Sequence, residues 1–234
     1  MIITIDGPAA SGKSCAARYL AEKLGYYYLY SGMLYRACAY ILLKHGGYSK
    51  AQFAHIKAGV VSGLFNVQRI RYLYTVRDGE KVFFDEVEIT PHLKTPVIDE
   101  ASSLLGINKA IRNAVSLVQH AIGTHENIVA DGRDMGTAIF PHAEIKFFLT
   151  ASVEERARRW QASQEKCGRL FTVQEAQAIL TERDQRDTIR EHAPLAVAPD
   201  AIMIDYTYLS AEETCEQMEI VVKKHIKELH ELRQ

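Results

Sequence analysis

Cysteine is scarce in this chain of 234 residues, and none of the four is arranged to bind metal or to staple a small fold. Cys15, Cys38, Cys167 and Cys215 show no C-x-x-C spacing and have no paired histidines nearby, so reduced thiols of a cytoplasmic protein are the expectation. A surplus of one charge is missing too. Lys and Arg number 28 against 29 Asp and Glu, for a formal net charge of −1, which argues against a general nucleic-acid binder. Any anion site must then come from a local concentration of basic side chains. No apolar stretch approaches the roughly 20 residues that span a bilayer. Met1 leads straight into a strand-like run without the charged n-region and cleavage site of a signal peptide. The reading is soluble and cytoplasmic, with no membrane and no nucleic-acid partner. Repeats and low-complexity linkers are absent as well. So is the N/T-K-x-D guanine motif, which argues against a GTPase.

What is present suits one folded unit. Hydrophobic residues make up 47% and charged residues 24%, ordinary for a soluble domain, and the length allows one core with insertions. Residues 1–6 form an apolar run closed by Asp6 and broken by Gly7-Pro8. Residues 13–24 carry Ala17, Leu20, Ala21 and Leu24 at helical spacing. Residues 128–130, 145–149 and 201–204 are further short apolar runs. Strands alternating with helices predict an α/β fold with a parallel sheet covered on both faces.

Three S/T-x-x-E capping boxes mark helix starts: Ser152 with Glu155, Thr172 with Glu175, and Ser210 with Glu213. The last helix has Met218, Val221, Val222 and Ile226 as a packing stripe. The middle differs in kind. Residues 72–77 and 81–84 are strand-like and joined through Asp78-Gly79, a hairpin signal foreign to a βαβ rhythm. Residues 37–102 therefore read as an insertion into the core rather than a second domain.

Gly7-Pro8-Ala9-Ala10-Ser11-Gly12-Lys13-Ser14 fulfils G-x-x-x-x-G-K-[ST] between a strand and a helix, the context of a P-loop. Its glycines let backbone N–H groups converge on phosphate oxygens, and the helix N-terminus adds partial positive charge. Lys13 would reach the β- and γ-phosphates, and the Ser14 hydroxyl can ligate Mg²⁺. The motif alone says NTP binding.

Basic clusters point to a second, phosphorylated substrate. Arg183, Asp187 and Arg190 share one helical stripe, flanked by Asp184 and Arg186. Such a stripe serves as a salt-bridged surface or as a clamp on a phosphate and a sugar hydroxyl. Asp131-Gly132-Arg133-Asp134 follows an apolar run, which positions Asp131 to hold Mg²⁺ or its water shell. Ser31-Gly32 with Tyr35-Arg36 closes the second βα unit and brings Arg36 near the cradle.

In this order, together with Thr95-Pro96, Pro194-Leu195, Asp200-Ala201, Ile204-Asp205 and Leu209-Ser210, these segments resemble the bacterial cytidylate kinases over nearly the whole chain. The resemblance implies a P-loop nucleoside-monophosphate kinase that moves the γ-phosphoryl group of ATP to CMP or dCMP with Mg²⁺, and a monomer. It implies a core at about 1–36, 103–152 and 172–234, a nucleotide-accepting insert at 37–102, and a lid at about 153–171. ATP would lie on Gly7 through Ser14 and on Cys15. Ser103, Arg112 and Asp134 resemble cytosine-recognising residues, and Asp187 a pentose contact. Ser31 joins the acceptor site, while Arg36, Arg133, Arg183 and Arg190 resemble phosphate-binding arginines acting in catalysis with Lys13. Arg156, Arg158 and Arg159 are the candidate charge stabilisers of the lid.

Two residues depart from that pattern. Tyr30 stands where the family usually has Asp, and Cys15 where it usually has Thr. Without a carboxylate at position 30, Asp131 or Asp6 is expected to do most of the metal positioning. The alternatives are a small-metabolite kinase of shikimate type and a weakly active nucleotide-binding regulator.

Overall fold

The computed structural model describes residues 1–124 and 127–231. Five parallel strands form the main sheet: β1 (Ile2–Asp6), β2 (Tyr27–Tyr30), β6 (Ile128–Gly132), β7 (Ile145–Thr150) and β8 (Ile202–Asp205). Their order is β2-β6-β1-β7-β8. Strands β1 and β6 are buried along almost their whole length, as expected for a parallel sheet covered on both faces. Asp6 pairs in register with Gly132, and Tyr30 with Asp131. This lines up the carboxyl ends of three strands at one edge, where ligands of open α/β sheets bind.

Helix α1 (Lys13–Leu24) follows β1 and ends on Gly25, whose φ of 67° lies in the left-handed region that favours a glycine C-cap. Helix α2 (Ser31–Lys44) follows β2, and α3 (Ala58–Leu64) is a short helix before the second sheet. That sheet is antiparallel and consists of β3 (Ile70–Thr75), β4 (Gly79–Phe84) and β5 (Val87–Glu88). Burial alternates along β3 and β4, the period-2 signature of a sheet with one solvated face.

The β3–β4 hairpin was expected to turn at Asp78-Gly79. Instead Thr75 pairs with Gly79 across the loop 76–78. The Thr75 hydroxyl accepts the Asp78 N–H at 2.9 Å, which ends β3 early, and Gly79 takes a φ of 71°. The β4–β5 turn carries positive φ at both Asp85 and Glu86, the requirement of a type I′ turn. No glycine announces it. Arg69 secures it by gripping both oxygens of Asp85.

Helix α4 (Pro96–Leu105) starts where Thr95 accepts the Ile98 N–H, and α5 (Lys109–Ile122) where Asn108 accepts those of Ala110 and Ile111. The Thr172 and Ser210 boxes close reciprocally, opening α7 (Val173–Ile189) and α8 (Ala211–Glu231). At α6 (Val153–Glu165) only half of the expected box forms. Ser152 accepts the Glu155 N–H, while the Glu155 carboxylate takes the Arg159 guanidinium instead.

One continuous apolar core joins Ile3, Leu29 and Phe147 of the parallel sheet to Phe53, Val61 and Val82 of the middle segment. Helix α2 runs through residue 36 and α4 through residue 102, so helices continue across both expected limits of the insert. Among the described residues, no helix is long and apolar enough to cross a membrane.

Candidate active site

The P-loop connects β1 to α1 in strained backbone. Gly7 allows a close approach, since a Cβ there would lie 2.1 Å from the Leu149 carbonyl oxygen. Ala10 has a φ of 56° and Gly12 one of 68°, so the loop holds two left-handed positions, at a conformational cost that Gly12 keeps small. Ala9 is tied down on both sides. Its N–H donates to Asp184 at 2.8 Å, and its carbonyl accepts from Arg156 at 2.8 Å. Arg156 and Asp184 are joined to each other at 2.6 Å. Helices α6 and α7 therefore hold the loop's shape.

The loop opens on a cavity of about 440 Å³ at the carboxyl edge of the sheet. Eight cationic side chains and four carboxylates line it. In a chain of net charge −1, this is the local basic concentration that an anion site requires. Lys13 is buried and donates to the Pro8 carbonyl at 2.8 Å. Burial, reinforced by nearby Arg133, pulls its pKa well below the ordinary lysine value.

The Ser14 hydroxyl donates to Asp131 at 2.6 Å, and the buried Tyr28 hydroxyl donates to the other Asp131 oxygen at 2.8 Å. Burial raises the Asp131 pKa against the pull of these bonds. Ser14 and Asp131 thus offer two hard oxygens beside the cradle. Such a donor set fits Mg²⁺, which binds through one or two carboxylates and completes its shell with waters and phosphates. Of the two carboxylates expected to position the metal, Asp131 or Asp6, the second does not join them. Its carboxylate is buried and accepts the Met135 and Gly136 N–H groups at 2.9 and 2.7 Å. It fastens the loop after β6 and does not line the cavity.

The arginine stripe of α7 faces the same cavity. Arg133 donates to Asp187 at 2.7 Å. Arg190 lies 3.5 Å from both Asp187 and Asp134 and donates through Nε to the Ala193 carbonyl. Its Nη2 is buried without a hydrogen-bond partner. Arg112 pairs with the other Asp134 oxygen. Burial raises the Asp134 pKa and the two arginines oppose it. Ser103 also lines the cavity, with a buried hydroxyl that has no partner. Ser31 accepts from Gln119 at 2.8 Å. Arg36 donates to Tyr30 and Asp99, both at 2.5 Å, and Arg183 reaches the other Asp99 oxygen at 3.5 Å. Burial works against the Arg36 charge, but Tyr30 and Asp99 outweigh it and raise its pKa.

The expected residues of both substrate sites therefore converge on one cavity, apart from several cradle residues and Cys15. From the loop, Ala10, Lys13 and Ser14 line it. Cys15 instead faces a small apolar pocket with Gly12, Tyr206 and Cys215.

The three lid candidates lie elsewhere. Arg156 is buried against Ala9 and Asp184, Arg158 is exposed and pairs with Glu154 and Glu155, and Arg159 lies over the Tyr206 ring. The arginine of that segment lining the cavity is Arg169, which donates to Gln164 at 2.9 Å. Sequence reasoning missed Arg169 and also Asp99. A search for counter-charges to the arginine clusters would have found Asp99, whereas Arg169 carries no spacing signal.

Comparison with known proteins places this geometry. The Bacteroides thetaiotaomicron shikimate kinase structure aligns over 95% of this chain and 98% of its own at a TM-score of 0.50 and 11% identity, a likeness of fold alone. Sequence relatives are nearer. The "Cytidylate kinase" of Citrifermentans bemidjiense is 37% identical over 97% of this chain and 94% of its own. That of Enterococcus faecalis is 38% identical over 95% of each. The family profile described as Cytidylate kinase matches residues 3–224. The chain belongs to the cytidylate kinase family.

Proposed function

We infer that this protein is a cytidylate kinase, transferring the γ-phosphoryl group of ATP to CMP or dCMP in pyrimidine nucleotide metabolism, as a soluble cytoplasmic monomer. The observation that carries the reading is the single cavity joining a P-loop to a cluster of arginines, with an unpartnered Ser103 hydroxyl in its wall. A P-loop kinase of shikimate type, whose acceptor carries a single carboxylate, needs fewer cations beyond the donor phosphates than one whose acceptor is itself a phosphate monoester.

In this reading the P-loop N–H groups and Lys13 hold the donor phosphates. Ser14 and Asp131 would hold Mg²⁺, Asp131 partly through water, and the ion when bound supplies charge neutralisation at the donor phosphates. Arg36, Arg133, Arg183 and Arg190 take the acceptor phosphate and offset charge on the transferring group. Asp187 meets the pentose, while Ser103, Arg112 and Asp134 meet the base. The lid segment around 153–171 would close over the cavity and exclude water, with Arg169 as its contributed charge. No covalent intermediate is required, because positioning and electrostatic neutralisation suffice for phosphoryl transfer.

A coupled assay of ADP release with CMP, dCMP, UMP, AMP and shikimate tests the assignment. CMP and dCMP are expected to be turned over far faster than the others. Preference for shikimate, or ATP binding without turnover, would replace this reading with one of the two alternatives.

A further inference from the structure

Tyr30 is the cavity residue that the family resemblance leaves unexplained. It ends β2 beside Asp131 and precedes α2, whose first turn contains Gly32. Its ring is fixed from two sides. It lies parallel to the buried Tyr28 ring at 6.2 Å and 5°, and it fills the space over Gly32, where a Cβ would come within 2.7 Å of its Cε2 atom. Its oxygen meets Arg36, whose Nη1 donates to it at 2.5 Å while Nη2 donates to Asp99. The Nε of Arg36 is buried without a partner.

The two anchors differ in kind. Asp99 is a carboxylate shared between Arg36 and Arg183, so it cancels part of the charge of both. Tyr30 offers only a hydroxyl oxygen. A carboxylate in its place would grip Arg36 between two negative groups, and an incoming phosphate would have to displace one of them. A phenol orients the guanidinium by a hydrogen bond and leaves its charge available.

We propose that Tyr30 is a positioning residue for Arg36: its hydroxyl aims the guanidinium at the acceptor phosphate without neutralising it. This rests on reading Arg36 as an acceptor-phosphate ligand. It also assigns position 30 to the acceptor side of the cavity rather than to the metal side.

The single tryptophan of the chain, Trp160, lines the cavity, so its fluorescence reports binding independently of turnover. Titrations of wild type, Tyr30→Phe, Arg36→Ala and the double variant with CMP, cytidine and ATP form the test, alongside steady-state kinetics of wild type with CMP. Tyr30→Phe is expected to weaken CMP about three- to tenfold while leaving cytidine and ATP affinity within twofold of wild type. In the Arg36→Ala background the same change is expected to cost nothing further. An unchanged CMP affinity, an equal loss for cytidine, or a full effect in the absence of Arg36 overturns the positioning role. In those cases wild-type turnover of CMP leaves the proposed function standing. Failure of the wild type to phosphorylate CMP overturns both.

Discussion

Tyr27 and Tyr72 serve each other's strands. The Tyr27 hydroxyl donates to the Tyr72 carbonyl and accepts the Tyr74 N–H, at 3.1 and 3.0 Å. The Tyr72 hydroxyl donates to the Tyr28 carbonyl and accepts the Tyr30 N–H, again at 3.1 and 3.0 Å. Strand β2 is an edge of the parallel sheet and β3 an edge of the antiparallel one. Two phenols thus stand in for a ladder of main-chain bonds, and they join the second sheet to the strand that leads into Tyr30 and α2. Edge-strand N–H and C=O groups shielded from water need such partners.

Tyr72→Phe removes that joint while keeping the ring. It takes two hydrogen bonds from main-chain groups beneath a buried side chain, at a cost of about 2 kcal/mol. Thermal unfolding should therefore move down by roughly 4–8 °C for a chain of this size. A melting temperature unchanged within 1 °C or so would show that solvent satisfies those groups instead.

Arg156 and Arg169 make opposite predictions. Arg156 is buried and donates to three partners, the Ala151 and Ala9 carbonyls and the Asp184 carboxylate. Arg156→Ala leaves Asp184 without its cation and loosens the P-loop, so both melting temperature and ATP affinity should fall. Breaking a buried pair costs on the order of 3 kcal/mol. Arg169 lines the cavity, and its guanidinium donates to the Gln164 side chain. Arg169→Ala should leave the melting temperature in place and lower turnover with CMP at least tenfold. Calorimetry and steady-state kinetics on both variants separate a brace from a reacting-site cation.

Much of this was legible from the sequence, and the failures share a cause. Helix α1 and strands β1, β6, β7 and β8 lie close to where apolar runs and the P-loop signature put them, because burial on both faces leaves an unmistakable pattern. Strand β5 was invisible because its turn puts Asp85 and Glu86, rather than glycine, at positive φ. Arg156 looked like a lid charge, since sequence shows a side chain's type and spacing but not which way a long one reaches. Asp6 stood beside Asp131 as an alternative for positioning the metal because both end strands, but sequence does not show that two backbone N–H groups occupy it. The clusters with internal spacing were found, and the isolated charges, Asp99 and Arg169, were not.

Burial raises the Asp6 pKa to about 7, despite the N–H groups of Gly136 and Met135 that favour the charged form. In the unfolded chain this carboxyl titrates near pH 4. Between those values the folded state binds the extra proton, so stability falls as pH rises from about 4 to about 7. Asp6→Asn has no such titration. The melting temperature of wild type relative to Asp6→Asn should therefore be most favourable below pH 4 and should decline by several degrees towards pH 7. A difference that stays constant over this range, measured at fixed ionic strength, would mean that Asp6 is ionised throughout.

Asp134 should decide the base. Its side chain is almost wholly buried, with Arg112 at one oxygen and Arg190 within 3.5 Å of the other. An ionised carboxylate has about four acceptor positions and no donor, so two arginines leave room for one more donor from the ligand. Cytosine offers an exocyclic amino group, whereas uracil presents a carbonyl oxygen at the same place. A buried carboxylate facing an acceptor costs on the order of a few kcal/mol, which converts to about a hundredfold in kcat/KM for CMP over UMP. Asp134→Asn supplies a side chain that can donate as well as accept. Its loss of charge weakens the grip on both arginines, so activity with either nucleotide should drop. The ratio is the informative quantity, because disorder of the arginines affects both substrates alike. That ratio should narrow at least tenfold in the variant. Equal kcat/KM for CMP and UMP in the wild type would overturn the cytosine assignment, and a ratio that Asp134→Asn leaves unchanged would move base recognition to Ser103 and Arg112.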